Sequence, residues 1–493
     1  MNFDQAAQAA LRNIAAYGDT DIFPRPFETH IFFDRPDESL AKLVEIHNSF
    51  ERSLALRPPF TIATLTQVGY TGFRWAMQIE PFWNAYYLAL VISIADQIEA
   101  TRIPPEVVFS YRYQWNQADA KLFNASSWRD YKRRSIELSR ESEFVVTTDI
   151  ADFYPRIYHH RLENALLRLP SVGDTPARIM RLLSHFSRNV SYGLPIGGPA
   201  SRILAELALT PVDDHLFRRR FTFCRYADDY AIFCNSKSDA YKVLVLLSEK
   251  LFNEGLVLQK AKTRIVTGKE FREASGLLDP RVDGGGSPES EEQKLLRINI
   301  RYDPYSQTPE DDYERLKAAV AEVDIVGILG REVAKTAIDQ VVTKQAINAI
   351  RALRPFAREG ALRTLLDSKN VEILTPVFVP VMRTVRGIYN DLDEKGKDFV
   401  DEALVKMYES RAHVLRVDLN LCYFVRALSP RPSVRKEEIL IEVFDSQPSA
   451  LIRRHIILAM ANWRCFFWLR GRHGINAPSL ARRLGITGSP SPR

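Results

Sequence analysis

Cysteine is scarce in this chain, and none of it is spaced for chemistry. Cys224, Cys234, Cys422 and Cys465 are the only four in 493 residues. They form no Cys-x-x-Cys pair and have no histidine pair beside them, which argues against a zinc site or a disulfide framework and fits a reducing compartment. Long apolar runs are missing too. The longest candidate, around Leu88-Ala89-Leu90-Val91-Ile92, stops at Asp96 and reads as one buried helix, too short to span a bilayer. The start, Met1-Asn2-Phe3-Asp4-Gln5-Ala6, has no charged-then-apolar leader, so the expectation is a cytoplasmic protein without a membrane partner. Charge is not one-sided either: Lys+Arg 67 against Asp+Glu 61 leaves +6, which permits a polyanionic partner without demanding one. What is present is apolar material for real cores, 46% hydrophobic with 11% aromatic. The length suits about two to four domains.

Tyr226-Ala227-Asp228-Asp229 lies between two short alternating runs, Thr222 to Tyr226 and Tyr230 to Cys234. Both runs read as strands, so the dipeptide sits at a hairpin tip. Asp149 ends the β-branched run Val145-Val146-Thr147-Thr148 and leaves its strand in the same way. Carboxylates converging from two strands suit a pair of hard divalent cations about 3.5–4 Å apart. An Asp-Asp pair alone is most often a solvated turn, so the surrounding order matters. Between the acidic sites, Gly193-Leu194-Pro195-Ile196-Gly197-Gly198-Pro199-Ala200-Ser201 reads as a backbone-rich turn, and Ser201 as a cap for the helix that follows. After the hairpin, Tyr241, Val243, Leu244, Leu247 and Leu251 are spaced as a helix ending near Gly255, and a strand resumes through Val266. Lys262 then projects from a loop beside the hairpin, where an ammonium can protonate or hold a departing phosphate group; a solvated surface lysine is the plain alternative.

In this order, the segments resemble the palm of reverse transcriptases over roughly residues 60–270. The resemblance implies Asp149 and Asp228 as metal ligands, Asp229 as the adjacent carboxylate and the Ile150 carbonyl as a further ligand, for two Mg²⁺ ions with Mn²⁺ as a substitute. Tyr154 matches the aromatic gate that excludes a ribose 2′-hydroxyl, which makes deoxynucleoside triphosphates the implied substrates. Phe153 beside it is the better core residue, because neighbouring strand positions face opposite ways. Asp152, Ile196 and Gly197 join Tyr154 as nucleotide-binding candidates. Many members of the family carry glutamine where this chain has Ile196, and the loss of that polar contact bears on templated fidelity more than on the chemistry. Val107 to Tyr113 resembles the fingers strand of the family, with Arg112 a candidate triphosphate contact. Arg129, Lys132, Arg133, Arg134 and Arg140, interleaved with Trp128 and Tyr131, suit either a nucleic-acid groove or a solvated face.

The expected organisation is an N-terminal extension over 1–60, fingers and palm over 61–282, a linker over 283–295 centred on a triple glycine, and a helical region over 296–493. The fold class is thus α+β followed by an all-α half, either a HEAT-like array or a plain bundle, since no repeat period stands out. From Ser446 to Arg493 there is no acidic residue, while arginines gather around Trp463, Phe466, Phe467 and Trp468, a composition suited equally to nucleic acid and to a protein interface. The combination, with Gly18 to Glu28 as a softer match, resembles the bacterial abortive-infection and defence-associated reverse transcriptases. That resemblance implies antiphage DNA synthesis by a homo-oligomer. It is either untemplated and protein-primed, with a DNA product, or a copy of an associated non-coding RNA. No single one of the 19 tyrosines stands out as a primer. A catalytically silent nucleic-acid scaffold is the alternative from another class, against which three converging carboxylates speak because they repel phosphate without metal. A mobile-element or retron-type enzyme is a third reading, but no maturase, endonuclease or retron-specific segment is visible.

Overall fold

The computed structural model describes residues 1–124, 128–188, 190–276, 290–298 and 316–471. They fall into two compact units, one drawn from Met1–Thr61 and Met77–Leu277, the other from Ile62–Ala76 and Leu278–Ala477.

The first unit is built around a four-stranded antiparallel sheet in the order β6-β7-β5-β8. Here β5 is Phe144–Asp149, β6 Thr222–Tyr226, β7 Asp229–Cys234 and β8 Arg264–Thr267. The β-branched run Val145 to Thr148 favours an extended backbone and places β5 inside the sheet, with a neighbour on each side. Val145 and Val146 are fully buried there. On the outer edge of β6, Val107 to Phe109 adds a short parallel bridge: the Phe109 amide donates to the Arg225 carbonyl at 3.0 Å and the Arg225 amide to the Val107 carbonyl at 2.8 Å. The apolar run seen in the sequence is the helix Pro81–Ser93, buried on nearly every side as a helix apolar all round must be. Glu80 caps it by accepting from the Phe82 and Trp83 amides. The helix Phe3–Tyr17 packs on it, and its buried side is rich in alanine, Ala6, Ala7, Ala9 and Ala10, whose small side chains allow close approach to neighbouring helices.

In the second unit, helices two apart in sequence pack side by side. One file runs Ile325–Val333, Pro355–Leu366, Glu394–Glu409, Val434–Ser446; the other runs Gln340–Ala349, Phe378–Ile388, Asp418–Leu428, Ala450–Asn462. Aspartate or serine caps several of them, Asp339, Asp393 and Ser433 among them. Two expectations need correction. The hairpin of β1 (Thr61–Val68) and β2 (Gly72–Ile79) groups largely with this unit and not with the 61–282 region, so the C-terminal unit is not all-α. The Tyr70 hydroxyl at its tip donates to the Ile373 carbonyl at 2.8 Å and accepts from the Ile338 amide at 3.0 Å. The linker expected over 283–295 also stops short: Ser290 and Gln293 form a capping box that starts the helix Glu291–Arg297, while 283–289 lie outside the described residues. No helix among the described residues is long and apolar enough to cross a membrane.

Candidate active site

Strand pairing gathers the acidic residues. β5 and β7 run in register from Phe144 opposite Cys234 to Asp149 opposite Asp229, and the Ile150 amide donates to the Asp228 carbonyl at 3.1 Å. Asp149 therefore ends one strand just where the hairpin between β6 and β7 turns. Ala227 makes that turn with φ 53°, a left-handed backbone uncommon outside glycine, which lets Asp228 and Asp229 follow without a wider loop. Past Asp149 the chain stays paired: the Gln259 amide donates to the Asp149 carbonyl at 2.7 Å and the Ala151 amide to the Val257 carbonyl at 2.9 Å. The turn after Gln259 brings Lys262 back, and its ammonium donates to Asp149 Oδ2.

The electrostatics are those of crowded carboxyls in a partly enclosed site. Burial, then the charges of Asp149 and Asp229, pushes the Asp228 carboxyl up to about 7. Asp229 is raised by burial and by Asp149, with Lys262 and Lys132 pulling the other way. Burial works against the Lys262 ammonium, yet Asp149, Asp229 and Asp228 outweigh it and raise its pKa. Asp149 Oδ1 is buried with no hydrogen-bond donor. Among the described residues no three His, Cys, Asp or Glu side chains are gathered as a ready metal cage. The donor set nonetheless fits a hard divalent cation: it offers carboxylate oxygens only, one of them buried without a partner, and a mutual repulsion that a cation relieves.

Residues 94–311 match the family described as Reverse transcriptase (RNA-dependent DNA polymerase). The chain carries a reverse-transcriptase domain. No curated protein matches the chain. Solved structures similar to it include telomerase from Candida albicans in complex with a TWJ fragment of telomeric RNA, at 10% identity, covering 76% of this chain and 70% of that one with a TM-score of 0.31. Another is apo telomerase from Candida tropicalis, at 11% identity over 85% and 72% of the two chains with a TM-score of 0.32. Similarity this low bears on neither fold nor function.

Within the reverse-transcriptase domain, Tyr154 is half-buried, and burial raises its hydroxyl well above the usual range, in the field of Tyr111, Arg202, Glu206 and Asp228. Phe153 beside it is a core residue. Lys132 lies on the helix Trp128–Leu138 with its ammonium 4.7 Å from the Trp128 ring centre; burial lowers its pKa while Asp229 holds it up, which places it at the site's edge. Arg129 and Arg133 on the same helix are exposed, and Arg133 pairs with Asp130 at 2.7 Å.

The remaining candidates have other surroundings. Arg112 is buried and its guanidinium is spent inside the fold, on Glu99 at 2.7 Å, on the Val108 carbonyl at 2.8 Å and on the Ile103 carbonyl, so it is not poised for a triphosphate. Asp152 turns outward, 69% exposed and 3.7 Å from Arg156. Ile196 is buried, and with Asp19, Gln78 and Tyr87 it lines a small enclosed pocket. Gly197 is covered by the N-terminal segment: at φ 101° a Cβ there would fall 2.4 Å from Thr20 Oγ1 and 2.9 Å from Asp21 Oδ1. Asp21 in turn pairs with Arg202 at 2.6 Å. Ile196 and Gly197 thus serve as the seat of the 18–22 segment in this structure.

Sequence reasoning missed the anchor beneath the turn. Arg225, fully buried on β6, donates to the Ala227 carbonyl at 2.7 Å and so holds the left-handed residue from below. Its charge is met by Asp213 at 2.6 Å and Glu206 at 2.8 Å. Glu206 also accepts from Arg102 at 2.7 Å and from the Ser110 hydroxyl at 2.6 Å, and Asp213 from the Tyr230 hydroxyl at 3.0 Å. Burial opposes ionisation of Glu206, but Arg225 and Arg102 win and lower its pKa, whereas Asp213 stays above its usual range because burial outweighs Arg225. The one available signal was a charge in the middle of an apolar strand, Phe223-Cys224-Arg225.

Proposed function

We propose that the chain is a DNA polymerase of the reverse-transcriptase type that extends a 3′ hydroxyl, or a protein hydroxyl, with deoxynucleoside triphosphates, and that it acts in antiphage defence as a cytoplasmic homo-oligomer. The supporting observation is the meeting of Asp149 and Asp228 at the ends of paired strands, with Lys262 on Asp149 and the Tyr154 ring alongside. Asp149 and Asp228 would hold Mg²⁺ or Mn²⁺, with Asp229 adjacent. Bound there, such ions supply activation of the attacking oxygen and neutralisation of the leaving pyrophosphate. The chain's own groups do the rest. Lys262, raised in pKa by the carboxylates, keeps a proton at Nζ to give to the departing phosphate oxygen. The Tyr154 ring presents bulk where a 2′-hydroxyl would sit, and Lys132 adds positive charge at the rim.

The test is incubation of the purified protein with Mg²⁺ and each deoxynucleotide, with and without RNA, beside an Asp228→Ala control. Product made by the parent and lost in the control supports the reading; no product under any condition removes it. Sequencing nucleic acid recovered with the protein separates its two forms, since DNA bonded to a peptide means protein priming and a defined RNA means copying. A silent scaffold would bind nucleotide equally well before and after Asp149→Asn. The defence role is tested by plaque counts with Asp149→Ala in the host. The side-by-side packing of alternate helices supports a HEAT-like reading of the second unit.

A further inference from the structure

In the second unit, four arginines stand in a file across one layer of stacked helices. Arg386, on Phe378–Ile388, donates through Nη1 to the Arg426 carbonyl at 2.6 Å and to the Ser429 hydroxyl at 2.7 Å, so it lies against the end of Asp418–Leu428. Arg426, on that second helix, approaches His455 Nδ1 at 3.5 Å on the third, Ala450–Asn462, which also carries Arg454. At the other end, the Arg351 guanidinium lies across Gly387, next to Arg386 in sequence: a Cβ there would come within 2.3 Å of Arg351 Nη2. The order is Arg351, Arg386, Arg426, Arg454, with Arg351 and Arg386 exposed and the other two half-buried.

Among the described residues neither Arg386 nor Arg426 is paired with a carboxylate, whereas others of this unit are, such as Arg431 with Asp398 and Asp401, and Arg435 with Glu409. The field they make is felt by their neighbours. Burial and then Arg426, Arg454 and Arg386 push buried His455 down to about 3, and burial and Arg426 lower Arg386 itself. Like charges held this close repel, and an anion laid over them relieves the repulsion. Each cation is an arginine, whose planar fork matches a phosphate in a bidentate way that lysine does not. The charges also come one from each successive member of the packed file, Arg351 from the turn that ends the first helix, which fits a ligand whose own charges repeat.

We propose that Arg351, Arg386, Arg426 and Arg454 bind the phosphodiester backbone of single-stranded nucleic acid along this layer of the helical unit. The choice of nucleic acid over another polyanion rests on the polymerase reading above; the arginine file itself does not.

The test is fluorescence anisotropy of a labelled oligothymidylate with the full chain in EDTA, titrated over a range of salt. For single strands each phosphate contact contributes about 0.7 to the slope of log affinity against log salt. The Arg386→Gln/Arg426→Gln protein should bind roughly tenfold more weakly, with a slope shallower by about 1.4. Arg351→Gln, at an exposed position, should lose about 0.7 of slope and serves if the double variant does not fold. Folded variants that bind with the parent's affinity and slope overturn the proposal. So does polyglutamate competing as well as oligothymidylate at equal charge, which would point to an acidic protein. A protein that makes no DNA under any condition but still loses oligothymidylate binding in these variants keeps the file and removes the polymerase reading.

Discussion

Replacing Arg225 with methionine, similar in length but uncharged, strands Asp213 and Glu206 in the interior. Glu206 keeps Arg102 and the Ser110 hydroxyl, whereas Asp213 keeps only the Tyr230 hydroxyl, so most of the cost falls on Asp213. Removing one partner of a buried ion pair costs about 3–5 kcal/mol, and with Arg225 fully enclosed little water is available to soften it. Adding Asp213→Asn removes the stranded charge, so the double variant should recover about 1–3 kcal/mol relative to the sum of the single changes. Equilibrium urea unfolding of the full chain, followed by tryptophan fluorescence, reads both quantities. Independently of stability, the Ala227 carbonyl loses its donor and the turn that carries Asp228 is no longer held, so kcat for nucleotide addition should fall well below the parent's in buffer without urea, where the variant is still folded. An Arg225→Met protein within about 1 kcal/mol of the parent, with unchanged kcat, would refute the anchoring argument.

Three further outcomes follow from the site. Because Asp228 ionises near 7 in the folded protein against 3.8 ordinarily, between those values the fold holds a proton that the unfolded chain has released. Metal-free stability should therefore fall as pH rises through that window, by up to about 1.4 kcal/mol per pH unit, and Asp228→Asn should flatten the fall in thermal melts with EDTA. Gly197→Ala puts a methyl group against Thr20 at a left-handed φ, and should destabilise the 18–22 segment by about 1–3 kcal/mol, seen as faster proteolysis near Arg25; unchanged cleavage would mean the segment is not seated there. Tyr154→Val should raise incorporation of ribonucleotides relative to deoxynucleotides by roughly tenfold in single-nucleotide assays, and an unmoved ratio would remove Tyr154 as the gate.

Local patterning carried much of the first unit. The β-branched run before Asp149, the alternation around the Asp-Asp dipeptide and the helix-then-strand order behind Lys262 are short-range signals, and strands and a hairpin stand there. What escaped depends on partners far apart in sequence. An arginine next to a strand reads alike whether it faces solvent or Glu99, and nothing local told that Arg112, a candidate triphosphate contact by resemblance, is spent inside the fold. Arg225 was passed over for the same reason, its partners lying 12 and 19 positions away on a helix. The glycines around Ile196 announced a close approach, but nothing local said that residues 18–22 of the same chain make it. Nor does a hairpin at the start of an expected fingers region declare that its tip bonds to residues some three hundred positions later, as Tyr70 does with Ile373.

The position of β5 between two ladders has a further consequence. Its residues face β7 on one side and β8 on the other, so sliding by a single step would break both sets of bonds at once and turn Asp149 to the opposite face of the sheet. Misalignment would leave Asp228 and Asp229 on their hairpin with no Asp149 to meet them, instead of a slightly displaced site. Correct assembly and chemical competence are therefore a single event for this domain, and a faulty copy is inert, unable to make faulty product.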